Sequence, residues 1–145
     1  MMTDLTPVYT DIVLRRPYID DLRDFGSLVV RIRGEHDNGI NIEFHKYLIY
    51  RKMNESWAID TTTLLCERIP VGERFHWLYE TRESDFLGRF KEANQHRPSH
   101  WDMKHFIIVT GDDLVEVIAT DPPEISERTD TIRGWIGPGE EFSSE

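Results

Sequence analysis

Three histidines and an aspartate lie close together in the chain, in the spacing His96-x3-His100-x4-His105 with Asp102 between the last two. Imidazole nitrogens and a carboxylate oxygen are ligands that Zn²⁺ and related metals accept, and two histidines four residues apart share one face of a helix. The Pro-Ser pair between the first two histidines makes a regular helix across them unfavourable. We therefore predict no metal and no other cofactor, with His96, His100 and Asp102 as the weak candidate ligands.

Three carboxylates form a second cluster, Asp112, Asp113 and Glu116. Carboxylates in close pairs can act as general acid and base or bind Mg²⁺. The stretch Gly111-Asp-Asp is also typical of a turn, in which an Asp side chain bonds to nearby backbone. Glu116 stands between inward-pointing neighbours of a strand, which predicts a solvent-facing side chain. We interpret all three as surface residues without a catalytic role.

No nucleophile motif accompanies these clusters. The sequence contains no Gly-x-Ser-x-Gly turn, no Gly-x-x-x-x-Gly-Lys phosphate loop and no Gly-x-Gly-x-x-Gly fingerprint. Cys66 is the single cysteine, so no disulfide can form within the chain. It ends the stretch Thr63-Leu-Leu-Cys66, which favours a small buried side chain over a reactive thiol. The prediction leans toward a protein that is not an enzyme.

Two sets of residues could bind a partner or a ligand. Trp101 lies in a polar loop, where an exposed indole is a frequent hot spot of protein interfaces. Together with the acidic cluster and an apolar anchor near the C-terminus it defines a candidate binding surface: Trp101, Asp112, Asp113, Glu116 and Trp135. The alternative is a small-molecule pocket between a curved sheet and the helix over residues 85–94. Its candidate residues are His45, His76, Tyr79 and His105, together with Glu116.

Hydrophobic periodicity predicts the elements that hold these residues. A period of two predicts strands at residues 27–33 and 40–45, and further strands are predicted at 11–14, 47–51, 56–65, 74–79, 105–110 and 114–119. Helices are predicted at 17–25 and at 85–94, the second with Ser84 as its N-cap. Hairpin-like spacings favour an antiparallel, strand-rich α+β fold with about seven strands, one or two short helices and an irregular acidic C-terminal tail.

Prolines and charge distribution predict where the folded domain ends and which classes of partner are disfavoured. Two prolines end the last predicted strand, so residues 1–123 are expected to form a single α+β domain and 124–145 an acidic tail. Seven acids and two arginines give the stretch from 120 to 145 a net charge of −5, half of the total of −10. This balance disfavours direct nucleic-acid binding, which needs a basic surface. With no apolar run near the ~20 residues of a membrane span, we predict no membrane contact and a cytoplasmic location.

Three functional hypotheses follow from these patterns. The first is a non-catalytic, protein-binding domain, such as an acidic inhibitor or immunity-type protein for a basic partner, because opposite charge steers association. The second is a protein or enzyme with a small-molecule cavity that contains a His or a Glu. The third is a homodimeric subunit that pairs through an edge strand or through the Trp135-Ile136 segment.

Overall fold

The structure is a computed structural model, and it describes residues 5–34, 39–54, 57, 59–69 and 75–128. These ranges contain nine strands and two helices, which are β1 (Thr6–Pro7), β2 (Tyr18–Asp24), β3 (Leu28–Arg33), β4 (Gly39–Phe44), β5 (Ile49–Asn54), α1 (Ile59–Arg68), β6 (Leu78–Thr81), α2 (Asp85–Ala93), β7 (Lys104–Val109), β8 (Asp113–Ala119) and β9 (Glu124–Arg128). Neither helix in these ranges has the length and apolar character needed to cross a membrane.

The strands form two antiparallel sheets. The five-stranded sheet has the order β1-β6-β7-β8-β5, and the four-stranded sheet has the order β2-β3-β4-β9. Every described strand pair is antiparallel. The predicted α+β class with a strand-rich, antiparallel sheet is therefore confirmed, and the predicted hairpin of residues 105–119 is the β7–β8 pair at the centre of the larger sheet.

The apolar contacts define three layers, which are the four-stranded sheet, the five-stranded sheet and the two helices. The main core lies between the two sheets and contains Val30 and Ile42 from one sheet and Phe106 and Val117 from the other. The opposite face of the five-stranded sheet is covered by α1 and α2. Strands β7 and β8 are consequently buried on both faces, which explains why their sequences read as nearly continuous apolar runs.

Two of the predicted elements have the opposite type of secondary structure. The helix predicted at residues 17–25 is strand β2, and most of the strand predicted at 56–65 is helix α1. A short strand predicted at 11–14 is not formed. The strand predicted at residues 74–79 is formed at Leu78–Thr81, and Trp77 and Tyr79 lie on opposite sides of the sheet, since Trp77 packs between the sheets and Tyr79 faces the helices.

The boundary predicted after residue 123 does not coincide with the end of the sheet. Residues 124–128, expected to belong to the irregular tail, form strand β9, which pairs with β4 from Gly39 to Glu43. The two prolines therefore separate two strands instead of ending the fold. The remainder of the predicted tail, residues 129–145 with Trp135, lies outside the described residues.

Candidate functional site

Two titratable side chains are buried on the helix-facing side of the five-stranded sheet. His105 on β7 and Glu116 on β8 each have 0% of their surface exposed. His105 Nε2 lies 2.8 Å from Glu116 Oε1. The prediction that Glu116 faces solvent is wrong, because α1 and α2 cover its face of the sheet. Of the residues predicted for a pocket, His105 and Glu116 are thus brought into direct contact.

The carboxylate of Glu116 also receives hydrogen bonds from β5 and α1. Arg51 stands opposite Glu116 in the β5–β8 ladder and donates from Nε to Oε2 at 2.8 Å. Thr61 donates its hydroxyl to Oε1 at 2.5 Å. The guanidinium of Arg51 lies 4.0 Å above the ring of Phe86 on α2 and reaches Asp60 at 3.4 Å. A buried carboxylate requires this degree of pairing, because its desolvation alone is strongly unfavourable.

These contacts keep Glu116 ionised. Burial by itself would raise the pKa of Glu116, but hydrogen bonds from His105, Arg51 and Thr61 outweigh burial and lower that pKa to about 2. The same balance applies to Arg51, where burial opposes the charge while the bond and the charge of Glu116 raise the pKa. The pair therefore carries a full negative and a full positive charge at neutral pH.

Ser84 extends this cluster to the surface of the protein. It is the N-cap of α2, and its Oγ accepts a hydrogen bond from Leu87 N at 3.1 Å. The same Oγ lies 2.7 Å from His105 Nδ1. Because the ionised Glu116 can only accept, Nε2 of His105 carries a proton, and in the neutral ring Nδ1 accepts the hydroxyl proton of Ser84. A hydroxyl, an imidazole and a carboxylate are thus connected in series.

A cleft of about 600 Å³ opens between α1 and α2 above the cluster. Ser84 and Thr61 belong to its wall and are the side chains by which the cleft contacts His105 and Glu116. Leu64, Phe86 and Leu87 supply apolar surface. Its charged residues are four acids, Asp60, Glu67, Glu83 and Asp85, and two cations, Arg82 and Lys91. Four acids against two cations give the cleft a net charge of −2.

His45, also predicted for the pocket, lies far from this cleft on the exposed surface of the four-stranded sheet. Its Nε2 is 2.6 Å from Glu124 Oε1, and its Nδ1 is 3.4 Å from Glu43 Oε2. The hydrogen bond that His45 donates to Glu124 is the main reason that the pKa of His45 is raised. These three side chains are the one group in the described ranges whose ligand atoms gather within 4.8 Å. We interpret them as a contact between β4 and β9, since all three are at least partly exposed.

The other two predicted pocket residues form a separate pair. Tyr79 Oη accepts a hydrogen bond from His76 N at 2.8 Å, and His76 Nε2 lies 2.6 Å from Val8 O. Burial lowers the pKa of His76. Neither side chain lines the cleft.

The weak metal candidates remain apart from one another. His96 and His100 are exposed in the turns that follow α2, and Asp102 is bound by Arg82 at 3.1 Å. The hydrogen bond from Arg82 lowers the pKa of Asp102. The ligand atoms of the three residues do not gather within 4.8 Å.

The residues of the predicted binding surface do not share a face in the described part of the chain. Trp101 precedes β7 and has 37% of its surface exposed, whereas Asp112 is exposed in the turn beyond the other end of that strand. Asp113 lies 3.7 Å from Lys52 Nζ on β5. Cys66, predicted to be buried, is exposed on α1, because the inner face of that helix is formed by Thr61, Leu64 and Leu65.

No family model matches the sequence, and no curated protein and no solved structure is significantly similar to the chain. The chemistry must therefore be argued from the geometry. Sequence reasoning missed Arg51, Thr61 and Ser84 as members of the cluster. A signal was present for Glu116, because a charge within a continuous apolar run belongs to a sheet covered on both faces and needs internal partners.

Proposed function

We propose that the chain binds a small organic cation in the cleft between α1 and α2. The observation that carries this proposal is the cleft itself, whose wall connects through Ser84 and Thr61 to a buried ionised cluster. Concave sites with apolar walls, a few polar groups and strongly perturbed pKa values nearby are the usual form of ligand sites. The lowered pKa of Glu116, about 2, is the perturbation in this case.

Charge favours a cation over other ligands. The four acids of the wall outnumber its two cations, but Asp60 is paired with Arg89 at 3.1 Å and with Arg51 at 3.4 Å. Of the cations, Arg82 is held by Asp102 at 3.1 and 3.2 Å, so the attraction for a cation depends mainly on Glu67 and Asp85. The exposed carboxylates of Glu67 and Asp85 lie on opposite helices, α1 and α2, so they can approach a ligand from both sides. Phe86 also borders the cleft, with one face of its ring covered by Arg51.

Three isosteric ligands test this proposal. Titration of ¹⁵N-labelled protein with benzamidine, benzamide and benzoate compares a cation, a neutral molecule and an anion of one shape. We expect benzamidine to shift the amide resonances of α1 and α2, with weaker or no effects from the other two. Glu67→Gln and Asp85→Asn should each weaken benzamidine binding by up to about fivefold, the effect of one exposed charge pair. Glu92→Gln, an exposed change on α2 outside the cleft wall, is the matched control.

Equal affinity for all three ligands would contradict the role of charge in binding. Resonance shifts confined to residues outside both helices would contradict binding in the cleft.

The acidic, protein-binding role has weaker support, because Glu116 is internal and Trp101 and Asp112 lie at opposite ends of β7. A cytoplasmic location belongs to the proposal as well, and the exposed thiol of Cys66 is compatible with a reducing compartment.

A further inference from the structure

We infer that the cleft is also a reaction site, in which Ser84 acts as the nucleophile that hydrolyses esters of small cationic acids, with His105 as its base. This inference rests on the proposed function, since the cleft must first bind the cationic part of the substrate. Glu116 is a positioning residue, which holds the imidazole and balances the charge that develops on it.

The geometry supplies a serine and the two groups that activate it. Ser84 Oγ is 2.7 Å from His105 Nδ1, and His105 Nε2 is 2.8 Å from Glu116 Oε1, both within the range required for proton transfer. Ser84 lines the cleft and is partly exposed, whereas the other two side chains are sealed from solvent. The same sequence of hydroxyl, imidazole and carboxylate occurs on unrelated folds and is recognised by geometry instead of chain order.

The position of Ser84 at the start of α2 adds a possible site for the negative charge of the intermediate. The first intrahelical hydrogen bond is donated by Gly88 N to Ser84 O at 2.9 Å, and Leu87 N is used by Ser84 Oγ. The N–H groups of Asp85 and Phe86 precede that bond and have no acceptor within the helix. The N–H of the residue after a nucleophilic serine is a recurrent oxyanion donor, which Asp85 N would supply here.

The reaction balances with water as the only co-reactant. Ser84 Oγ forms a bond to the ester carbonyl carbon while its proton moves to His105 Nδ1. Collapse of the tetrahedral intermediate breaks the bond to the alcohol oxygen, which takes that proton and leaves as the alcohol. Water then gives its proton to the same nitrogen and attacks the acyl-serine, which releases the carboxylic acid and returns the proton to Ser84 Oγ.

A cationic active ester tests the inference directly. On incubation with p-nitrophenyl 4-guanidinobenzoate, whose guanidinium matches the acidic cleft, we expect a burst of about one equivalent of p-nitrophenol per chain. Peptide mapping should place one guanidinobenzoyl group on Ser84. The neutral ester p-nitrophenyl benzoate should acylate the same serine at least tenfold more slowly. An acyl group on another residue, or no burst, would overturn the inference.

Two variants separate catalysis from helix capping. Asn is as good an N-cap as Ser, so Ser84→Asn should retain α2, with an unchanged circular dichroism spectrum, while abolishing the burst. Ser99→Ala, an exposed serine in the turn after α2, should leave the burst intact. A burst of equal size in folded Ser84→Asn would overturn the inference. If benzamidine binds and no acylation occurs, only the reaction fails, whereas the absence of both defeats the proposed function as well.

Discussion

At the scale of single residues, the buried carboxylate of Glu116 organises the polar cluster beneath the cleft. Its three hydrogen bonds come from β5, β7 and α1, since Arg51, His105 and Thr61 all donate to its two oxygens. A buried ion pair gives little net stability compared with an apolar replacement of the same shape. Removing one member alone is much more costly, because the remaining charge and donors stay buried. Stability alone therefore does not explain this cluster, which is consistent with a functional role for its residues.

Truncation of this carboxylate gives the first stability prediction. We expect Glu116→Ala to lower the free energy of unfolding by about 3–5 kcal/mol, because it leaves the buried donors of His105 and Thr61 without an acceptor and removes one of the two counter-ions of Arg51. Urea denaturation monitored by tryptophan fluorescence measures the change. Glu92→Gln, at an exposed position of α2, should stay within about 0.5 kcal/mol of the wild type. Similar small losses in both variants would show that the cluster adds nothing to stability.

The lowered pKa of Glu116 predicts how stability depends on pH. The pKa is 4.5 in the unfolded reference and about 2 in the folded protein, so the unfolded chain takes up a proton first as the pH falls. The contribution of this carboxylate is complete above about pH 5 and is lost progressively toward pH 2. The difference in unfolding free energy between wild type and Glu116→Gln should shrink across that window. A difference that is constant from pH 7 to pH 2.5 would contradict the lowered pKa.

The sequence revealed the members of this site only in part. His105 and Glu116 were both named for a pocket, but periodicity alone assigned Glu116 to solvent, because it cannot show that a second layer covers the sheet. Arg51, Thr61 and Ser84 carry no motif, since residues from β5, α1 and the start of α2 meet through tertiary packing. Spacing along a chain cannot reveal a cluster of this type.

At the scale of elements, the two errors of assignment have separate physical causes. Ile19 and Leu22 of β2 both pack on the core, although they are three residues apart, because a bulge between Ile19 and Asp21 shifts the register. The helix was predicted from the spacing of Tyr18, Leu22 and Phe25, but Tyr18 and Phe25 are exposed, and of these three residues only Leu22 packs on the core. In α1, β-branched threonines favoured a strand, but packing of Leu64 and Leu65 against the sheet outweighs that weak preference.

Alanine substitutions at two glycines are expected to change stability in opposite directions. An added Cβ at Gly88, on the exposed side of α2, would meet nothing within 4 Å, so Gly88→Ala should stabilise the protein by roughly 1 kcal/mol through helix propensity. At Gly34 the added atom would lie 3.0 Å from Arg15 O and 3.2 Å from Arg15 N. Gly34→Ala should therefore destabilise by about 1–3 kcal/mol. Thermal melts of the two variants check both signs, and two shifts in the same direction would contradict the packing.

Strand β9 gives a prediction about whether residues 124–128 belong to the folded domain. A protein ending at residue 123 lacks β9, with its ladder to β4 and the apolar contact of Ile125, whereas one ending at 128 retains them. We expect the shorter protein to lose at least about 2 kcal/mol of unfolding free energy relative to the longer one. Chemical denaturation of the two truncated proteins measures this, and each is the other's control for the missing residues 129–145. Equal stability of the two truncated proteins would contradict a contribution of β9 to the folded domain.

At the scale of the whole molecule, the layer order determines which surfaces can pair with other chains. Strand β2 is an edge of the four-stranded sheet, and it carries Asp20, Asp21, Arg23 and Asp24. Charges along an edge strand oppose pairing with another copy. A homodimer formed through β2 is therefore disfavoured. The five-stranded sheet is the middle layer of the protein, since the four-stranded sheet covers one of its faces and the two helices cover the other.

This central position predicts the order in which parts of the molecule open. Strands β7 and β8 bury apolar side chains on both faces and pair with strands on both sides, so their amides can exchange only when the whole domain unfolds. Strand β2 pairs on one side only, and none of its residues is fully buried. Native-state hydrogen exchange should give the global free energy at Phe106–Ile108 and Val115–Val117, and values lower by at least about 2 kcal/mol in β2. Equal protection of β2 and β8 would contradict the layered arrangement, because an edge strand with one covered face would then be as stable as the centre.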